Sequence, residues 1–186
     1  MTLKKIISNK KYLFLDRDGV INRRKIDNYI TQWEEFEFLP GVLDALDIFA
    51  KYFKRIIIVT NQQGIGKGIM KEEELQNIHQ HLIQKIHHRG GRIDAIFYCP
   101  MLREALHNCR KPNPFMAEAA KTQFPEINFK ESIIIGDTAT DMEFGKNLGI
   151  ARILLKNEYT TNEDEMWAQA SIKNLTEISN LLNHTP

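Results

Sequence analysis

Short apolar runs alternate with longer amphipathic segments along this chain. The apolar runs are rich in Ile, Val, Leu and Phe, and polar or glycine-containing sequence bounds them. Runs of this length and composition predict buried β-strands. They occupy residues 12–15, 56–59, 93–98, 132–135 and 151–155.

Apolar residues at helical spacing fill the sequence between these runs and predict helices. The longest predicted helix, from about Lys71 to His88, carries its apolar side chains on one side and is followed by a glycine pair. Further helices are expected at 41–53, from residue 114, at 138–148 and at 175–182, with a short sixth strand near residue 171. Strands that alternate with helices predict an α/β fold, with a mostly parallel sheet covered by helices on both faces.

Length and composition are typical of one compact domain, and we expect a single domain over residues 1–186. Hydrophobic residues make up 42% of the chain, charged residues 26%, and the formal net charge is +1. This balance gives no sign of a nucleic-acid or membrane surface, so we expect neither partner. We also expect a monomer. The sequence contains no membrane-length apolar run and no leader-like start, which favours the cytosol. Two cysteines are too few for a disulfide framework.

The first predicted strand ends in Asp16-Arg17-Asp18-Gly19, and this string is the first sign of chemistry. Ligands of α/β proteins usually bind at the carboxyl ends of the strands. Two carboxylates this close repel each other, so the pair needs a cation or a shared proton. Either arrangement leaves one carboxylate free to attack and one group able to move protons. Polar turns and calcium loops also contain such strings, so the motif alone decides nothing.

Other polar residues follow the neighbouring predicted strands and belong to the same edge of the sheet. They are Thr60 and Asn61 after the second strand and Asp137 after the fourth, with Lys111 reaching in from the irregular loop at 99–114. Aspartates with a hydroxyl and a cation suit phosphoryl transfer, which demands positioning and neutralisation of oxygen charge. Hard oxygen ligands favour Mg²⁺, with Asp16 and Asp137 as its carboxylates.

These groups predict a division of roles. Asp16 attacks phosphorus and becomes an aspartyl phosphate, while Asp18 protonates the leaving oxygen and later activates water. Mg²⁺ and Lys111 offset the charge, and Thr60 and Asn61 hold the remaining phosphoryl oxygens. The competing class is a phosphoryl-binding signalling module that resembles a response regulator and holds its phosphoryl group without turnover. A proton-moving group at Asp18 distinguishes the hydrolase from such a module.

Four motifs in order resemble those of the haloacid dehalogenase-like phosphatases. They are Asp-Arg-Asp-Gly-Val-Ile-Asn at 16–22, Thr-Asn-Gln-Gln-Gly-Ile at 60–65, Cys-Arg-Lys-Pro at 109–112 and Gly-Asp at 136–137. The likeness is greatest to the branch that acts on heptose bisphosphates and histidinol phosphate, and it runs from about residue 11 to residue 156. It implies a Rossmann-like fold without a large cap domain and a small sugar phosphate as substrate. Heptose bisphosphate ranks first, histidinol phosphate second, and the 3′-phosphate of a nucleic-acid end third.

The resemblance also implies the roles of individual residues. The nucleophile falls on Asp16, the acid/base on Asp18, the phosphate-binding threonine on Thr60, the lysine on Lys111 and the metal aspartate on Asp137. The expected metal site comprises Asp16, Asp18 and Asp137, and the expected phosphate site comprises Thr60, Asn61, Gln62, Gln63, Arg110 and Lys111. Arg110 is either a solvated surface charge or, as we favour, a residue that binds a second anionic part of the substrate.

Two departures from the family pattern limit what the resemblance implies. The heptose phosphatases usually have a lysine after the metal aspartate, where this chain has Thr138. They also commonly hold a structural zinc through Cys-x-His and Cys-x-Cys pairs, and the corresponding positions here are Cys99, Met101, His107 and Cys109. Three plausible ligands do not close a tetrahedral site, so we expect no structural zinc.

Three further segments have ordinary structural interpretations. The polar and aromatic residues at 23–39 predict a loop folded over the strand ends. Asp141 suits the first turn of a helix, where negative charge is favourable, and has a supporting role at most. The histidines of the long helix are expected to lie on its solvated polar face. They are His79, His81, His87 and His88.

Overall fold

The strands form a single parallel sheet in the computed structural model, which describes residues 2–183. The strands are β1 (Tyr12–Leu15), β2 (Arg55–Asn61), β3 (Ala95–Cys99), β4 (Ser132–Gly136), β5 (Ala151–Leu155) and β6 (Ala170–Ile172). Their spatial order is β3-β2-β1-β4-β5-β6, and every neighbouring pair is parallel. The predicted α/β fold is confirmed, including the short sixth strand.

Helices lie between the strands as the apolar periodicity predicted. They are α1 (Leu3–Ile7), α2 (Val42–Tyr52), α3 (Glu72–His88), α4 (Phe115–Gln123), α5 (Ala139–Leu148), α6 (Asn162–Glu165) and α7 (Thr176–Asn183), with 3₁₀ turns at Trp33–Glu35 and Phe129–Glu131. The sequence did not predict α1 and α6. These helices contain five and four residues, which is too short for an apolar period to be recognised.

The hydrophobic core lies on both faces of the sheet. The central strand β1 is buried along its whole length, and its alternate side chains point to opposite faces. Leu13 and Leu15 join the cluster that includes α2, α3 and α7, whereas Phe14 joins the cluster that includes α4 and α5. Helices therefore cover both faces, and the end of β1 is a rigid mount for the residues that follow it.

The strand order reverses at β1, and this reversal locates the site. The chain proceeds from β1 to β2 and β3 on one side and then returns to place β4, β5 and β6 on the other. In open α/β sheets, ligands bind in the crevice beside such a reversal, at the carboxyl ends of the strands. Leu15 is in register with Ile58 of β2 and Ile135 of β4, so the residues after these strands meet.

The connections at this edge of the sheet are loops with little regular structure. Residues 16–41 follow β1 and contain one 3₁₀ turn, and residues 100–114 follow β3. Within residues 2–183 no cap domain is inserted between the strands, as the resemblance implied. None of the described helices has the length and apolar character needed to cross a lipid bilayer.

Candidate active site

Three buried carboxylates meet where β1 and β4 end. Asp16 follows β1 directly, Asp137 follows β4, and Asp141 lies in the first turn of α5. One ligand oxygen from each of the three lies within 4.8 Å of the others. The neighbouring strands cause this convergence, because the backbone N–H of Asp16 donates to the Ile135 carbonyl of β4 at 3.0 Å.

Lys111 is the buried cation of this cluster. Its Nζ lies 2.8 Å from Asp16 Oδ1 and 2.5 Å from Asp141 Oδ1, and it donates to the Val59 carbonyl at 2.8 Å. Burial opposes a charge here, but Asp141 and Asp16 raise the pKa of Lys111, so the lysine stays protonated. The loop at 100–114 therefore delivers its lysine into the cluster, as the sequence predicted.

Asn61 holds the main chain of this lysine. The backbone N–H of Lys111 donates to Asn61 Oδ1 at 3.0 Å, and Asn61 Nδ2 donates to the Lys111 carbonyl at 3.3 Å. Both ends of the side-chain amide are thus engaged with the loop. The expected role of Asn61 in holding phosphoryl oxygens stays a prediction, and the structure adds a role in positioning Lys111.

The charges in the cluster are those of a cation site. Burial raises the pKa of Asp16 to about 6, with Lys111 opposing the shift and Asp141 adding to it. Burial and the neighbouring Asp16 and Asp141 also raise the pKa of Asp137 well above its usual value. Asp137 Oδ1 is buried without a hydrogen-bond partner among the described residues. Hard carboxylate oxygens with excess negative charge and an orphaned buried oxygen fit Mg²⁺.

Asp18 lies beside the cluster, but its carboxylate is held by other partners. Arg17 Nη2 donates to Oδ1 and Oδ2 at 3.0 and 2.9 Å, Asn22 Nδ2 donates at 2.9 Å, and Gln62 Nε2 donates at 2.8 Å. Burial alone would raise the pKa of Asp18, but Arg17 and these hydrogen bonds lower it. Of the three expected metal ligands, Asp16 and Asp137 lie in the carboxylate cluster, and the side chain of Asp18 is directed to Arg17, Asn22 and Gln62.

The residues after β2 lie along the same edge. Thr60 is buried, and its hydroxyl accepts a hydrogen bond from Gln62 Nε2 at 2.9 Å. Gln62 therefore links the expected phosphate-binding threonine to the expected acid/base. Gln63 points toward the loop at 23–39, where its Nε2 donates to the Tyr29 hydroxyl at 3.0 Å.

A cleft of about 760 Å³ opens over these groups. Asp16, Asp18, Thr60 and Lys111 line it, together with Gln63 and the charged residues Arg24, Lys67, Arg103 and Arg110. Burial lowers the pKa of Arg110, and the positive charge of Arg103 lowers it further. Arg103 and Arg110 therefore concentrate positive charge in the cleft.

Known proteins share both the sequence and this architecture. Residues 108–178 match the family described as HAD-hydrolase-like. A protein of Mycobacterium tuberculosis named D-glycero-alpha-D-manno-heptose-1,7-bisphosphate 7-phosphatase is 39% identical over 139 residues, which cover 75% of this chain and 73% of that protein. A protein of the same name from Campylobacter jejuni is 38% identical over 170 residues, which cover 91% of this chain and 94% of its own.

The chain belongs to the haloacid dehalogenase-like phosphatases. A solved D,D-heptose 1,7-bisphosphate phosphatase from B. bronchiseptica, complexed with magnesium and phosphate, has a TM-score of 0.81 and 25% sequence identity. The match covers 93% of this chain and 98% of that one. The predicted family, fold and enzyme class are therefore confirmed.

This phosphatase uses Thr138 to support a residue that the sequence analysis underrated. The backbone N–H and hydroxyl of Thr138 donate to Asp141 Oδ2 at 3.1 and 2.6 Å. Asp141 is fully buried and belongs to the carboxylate cluster, so the structure adds it to the groups that could hold a metal ion. The sequence did contain one sign that Asp141 lies near Asp137: it follows Asp137 by four residues, on the first turn of the next helix.

Arg24 is a second residue that the sequence analysis missed. Its Nη1 lies 3.4 Å from Asp137 Oδ2, and Asn157 Nδ2 lies at the same distance from that oxygen. Arg24 comes from the loop at 23–39, whose residues 24–30 line the cleft. The prediction that this loop folds over the strand ends agrees with that placement, but no local pattern identified Arg24.

The two cysteines of the chain are joined to each other. A disulfide links Cys99 at the end of β3 to Cys109 in the following loop. The sequence analysis treated them as separate residues and as remnants of a zinc site. In the disulfide-bonded form neither sulfur is a thiolate, which is the form that binds zinc. The expected absence of structural zinc stays a prediction.

Two of the four helix histidines do not lie on a fully solvated face. His79 is 7% exposed, and His81 is half-buried with its ring stacked on Trp33, whereas His87 and His88 are exposed as expected. The prediction was wrong for His79 because its partner, the buried Arg17, comes from the turn after β1, 62 residues away in sequence. A helical period records the polarity of a face and cannot show that a buried charge lies beneath it.

Proposed function

We propose that this phosphatase hydrolyses the 7-phosphate of D-glycero-D-manno-heptose 1,7-bisphosphate through an aspartyl phosphate on Asp16. One observation carries the proposal: a single cleft contains the Asp16 and Lys111 pair together with Arg103 and Arg110. A substrate with two phosphates would occupy both sets of groups. The names of relatives that are 32–39% identical support the choice of sugar.

In the first step, an oxygen of Asp16 attacks phosphorus, and the bond to the sugar oxygen breaks. Asp16 Oδ1 accepts hydrogen bonds from the Arg17 backbone N–H at 2.8 Å and pairs with Lys111 at 2.8 Å. These contacts fix the carboxylate so that little freedom is lost at the moment of attack. The positive charge of Lys111 offsets the charge that develops on the phosphoryl oxygens.

Asp18 moves the proton in both steps. Its lowered pKa keeps it ionised in the free enzyme, and the negative charge of a bound phosphate ester raises that pKa and favours uptake of a proton. Asp18 then gives this proton to the leaving sugar oxygen. In the second step it takes a proton from the water that attacks the aspartyl phosphate, which regenerates Asp16 and releases phosphate.

Asp16, Asp137 and Asp141 are the residues that would hold Mg²⁺. The ion would supply positive charge beside the phosphoryl oxygens. Arg24 Nη1, at 3.4 Å from Asp137 Oδ2, would add a second positive charge beside the ion.

The distal anion would bind at Arg103 and Arg110, which remain unpaired with any carboxylate in the salt bridges of the described residues. Lys67, whose Nζ lies 5.5 Å from the Tyr29 ring centroid, adds a further positive charge to the cleft. The single-domain organisation, the monomeric state and the cytosolic location stay predictions, and Met1 and residues 184–186 lie outside the described residues.

Steady-state kinetics on a panel of phosphate esters test the proposal. The panel contains both anomers of the heptose bisphosphate, the heptose 7-phosphate, histidinol phosphate and a DNA 3′-phosphate. We expect kcat/KM for one bisphosphate anomer to exceed that for the 7-phosphate by about tenfold or more, since charge-assisted hydrogen bonds to the second phosphate contribute. The product should be heptose 1-phosphate.

Two outcomes would contradict the proposal in different ways. A higher kcat/KM for histidinol phosphate would overturn the substrate while leaving the chemistry intact. A phosphorylated protein stable for minutes, without release of phosphate, would indicate the signalling module.

A further inference from the structure

Arg17, which separates the two catalytic aspartates in sequence, is a buried charge with two partners. Its side chain is 1% exposed. On one side its Nε and Nη2 donate to the carboxylate of Asp18, and on the other its Nη1 lies 3.1 Å from His79 Nε2. These hydrogen bonds hold the guanidinium from two sides, so they restrict the orientation of its plane.

His79 reaches Arg17 from α3, well away from the carboxylate cluster in sequence. Burial, together with the charge of Arg17, lowers the pKa of His79 to about 3, so the imidazole is neutral. A guanidinium has only donors. His79 Nε2 must therefore be the acceptor and Arg17 Nη1 the donor, and the imidazole carries its proton on Nδ1.

We propose that His79 is a positioning residue, which holds the guanidinium of Arg17 in the orientation that aims the carboxylate of Asp18. The inference rests on the proposed role of Asp18 as acid and base. Among the hydrogen bonds and ion pairs of the described residues, none joins His79 to the carboxylate cluster of Asp16, Asp137 and Asp141. The consequence is specific: loss of His79 impairs proton delivery to the leaving group more than it impairs attack by Asp16.

Two substrates separate these effects. An alkyl phosphate such as a sugar phosphate needs a proton on its leaving oxygen, whereas the phenolate of p-nitrophenyl phosphate leaves with little protonation. The parameter to compare is kcat/KM, because it covers binding through departure of the leaving group and excludes hydrolysis of the aspartyl phosphate. A defect in folding or in Asp16 lowers kcat/KM for both substrates alike.

The variants are His79→Leu, which removes the acceptor, and His79→Gln, which can bring an oxygen close to the position of Nε2. His87→Leu is the matched control, since His87 is an exposed histidine of the same helix. We expect His79→Leu to lose at least about tenfold more kcat/KM on the sugar phosphate than on the aryl phosphate, a part of the usual general-acid contribution. His79→Gln should recover most of the loss, and His87→Leu should match the wild type.

Equal losses on the two substrates, or no loss, would overturn the inference, as would a His79→Gln variant as impaired as His79→Leu. If His79→Leu does not fold, His79→Asn is the replacement, because its shorter side chain cannot bring an acceptor to Arg17 Nη1.

Asp18→Asn separates this inference from the proposed function. A selective loss in Asp18→Asn without one in the His79 variants refutes only the role of His79, whereas equal losses on both substrates in Asp18→Asn refute the acid role itself.

Discussion

Gly19 lies against Asp137 so closely that a β-carbon at position 19 would come within 2.0 Å of Asp137 Oδ2. Gly19 also has a φ of +96°, in the region that side chains disfavour. The turn after β1 therefore leaves no room for a side chain between position 19 and the carboxylate of Asp137. A glycine at this position is a requirement of the candidate metal site as well as of the turn.

We expect Gly19→Ala to displace Asp137 and weaken Mg²⁺ binding by about tenfold to hundredfold, the usual effect of disturbing the support of a metal ligand. The backbone strain itself should cost about 1–2 kcal/mol. Gly149→Ala is the control, since Gly149 has a φ of +69° and open space around its missing β-carbon. Titration with Mg²⁺ measures the affinity of each variant for the ion, and thermal unfolding measures the stability of each variant. Equal Mg²⁺ affinity in the two variants would contradict this account.

The raised pKa of Asp16 predicts how pH and Mg²⁺ act together. The folded pKa of about 6 lies above the ordinary 3.8, so the folded protein binds more protons than the unfolded chain between these values. In the metal-free protein this carboxyl therefore costs stability as pH rises through that window, and the raised pKa of Asp137 has the same sign. Mg²⁺ binds the ionised carboxylates and offsets this cost.

The gain in Tm on adding Mg²⁺ should therefore increase as pH rises past about 6. Below that pH, protons compete with the ion for Asp16 and Asp137. Differential scanning fluorimetry with Mg²⁺ or with a chelator, over a series of pH values, measures this gain. Asp137→Asn should abolish most of it at every pH. A gain that stays constant across the series would show that the ion binds elsewhere.

Arg110 should matter for the second phosphate and not for the first. Arg110→Ala is expected to lower kcat/KM for the heptose bisphosphate by about tenfold to hundredfold, the contribution of a charge-assisted hydrogen bond. The heptose 7-phosphate, which lacks the distal group, should be little affected. Arg89→Ala is the control, because Arg89 forms an exposed pair with Asp44. A parallel loss on both substrates would place Arg110 at the reacting phosphate instead.

The loop at 100–114 should contain no stoichiometric zinc. Cys99 and Cys109 are bonded to each other in the structure, and His107 alone cannot close a zinc site. Elemental analysis of protein expressed with added zinc and purified without chelator measures the content. A stoichiometric signal that disappears in Cys109→Ser would show that the reduced cysteines bind the metal.

Much of the fold could be predicted because its strands are apolar on both faces and its helices are strongly periodic. The boundaries were less certain where side chains cap a strand. β3 begins at Ala95 and not at Ile93. The Asp94 backbone N–H still donates to the Ile56 carbonyl at 2.9 Å, but the Ile56 backbone N–H donates to the Asp94 side chain at 2.8 Å. A hydrogen bond between a side chain of one strand and the backbone of its neighbour leaves no mark on the apolar periodicity of either strand.

The candidate site was predictable as far as it follows from strand ends. Asp16, Thr60 and Asp137 each come directly at or after an apolar strand, so parallel topology was enough to bring them together. The contacts of His79 with Arg17 and of Arg24 with Asp137 join distant segments through buried charge, and the Cys99 to Cys109 bond depends on the path of an irregular loop. None of these follows from periodicity or spacing alone.

The central claim is that Asp16 carries the phosphoryl group, and chemical capture of that intermediate tests it most directly. Asp18→Asn should accumulate the aspartyl phosphate from p-nitrophenyl phosphate, because the leaving group needs little protonation and the base for hydrolysis is gone. Quenching with borohydride reduces an aspartyl phosphate to homoserine. Trypsin then releases residues 12–17, in which Asp16 is the only carboxylate side chain.

We predict homoserine at position 16 in this peptide, dependent on both substrate and Mg²⁺. Wild-type activity should fall at least about a thousandfold in Asp16→Asn, as expected for loss of a nucleophile. Glu143→Gln, which alters an exposed carboxylate of α5, should keep it. An unmodified 12–17 peptide from Asp18→Asn, together with release of nitrophenol, would contradict the account.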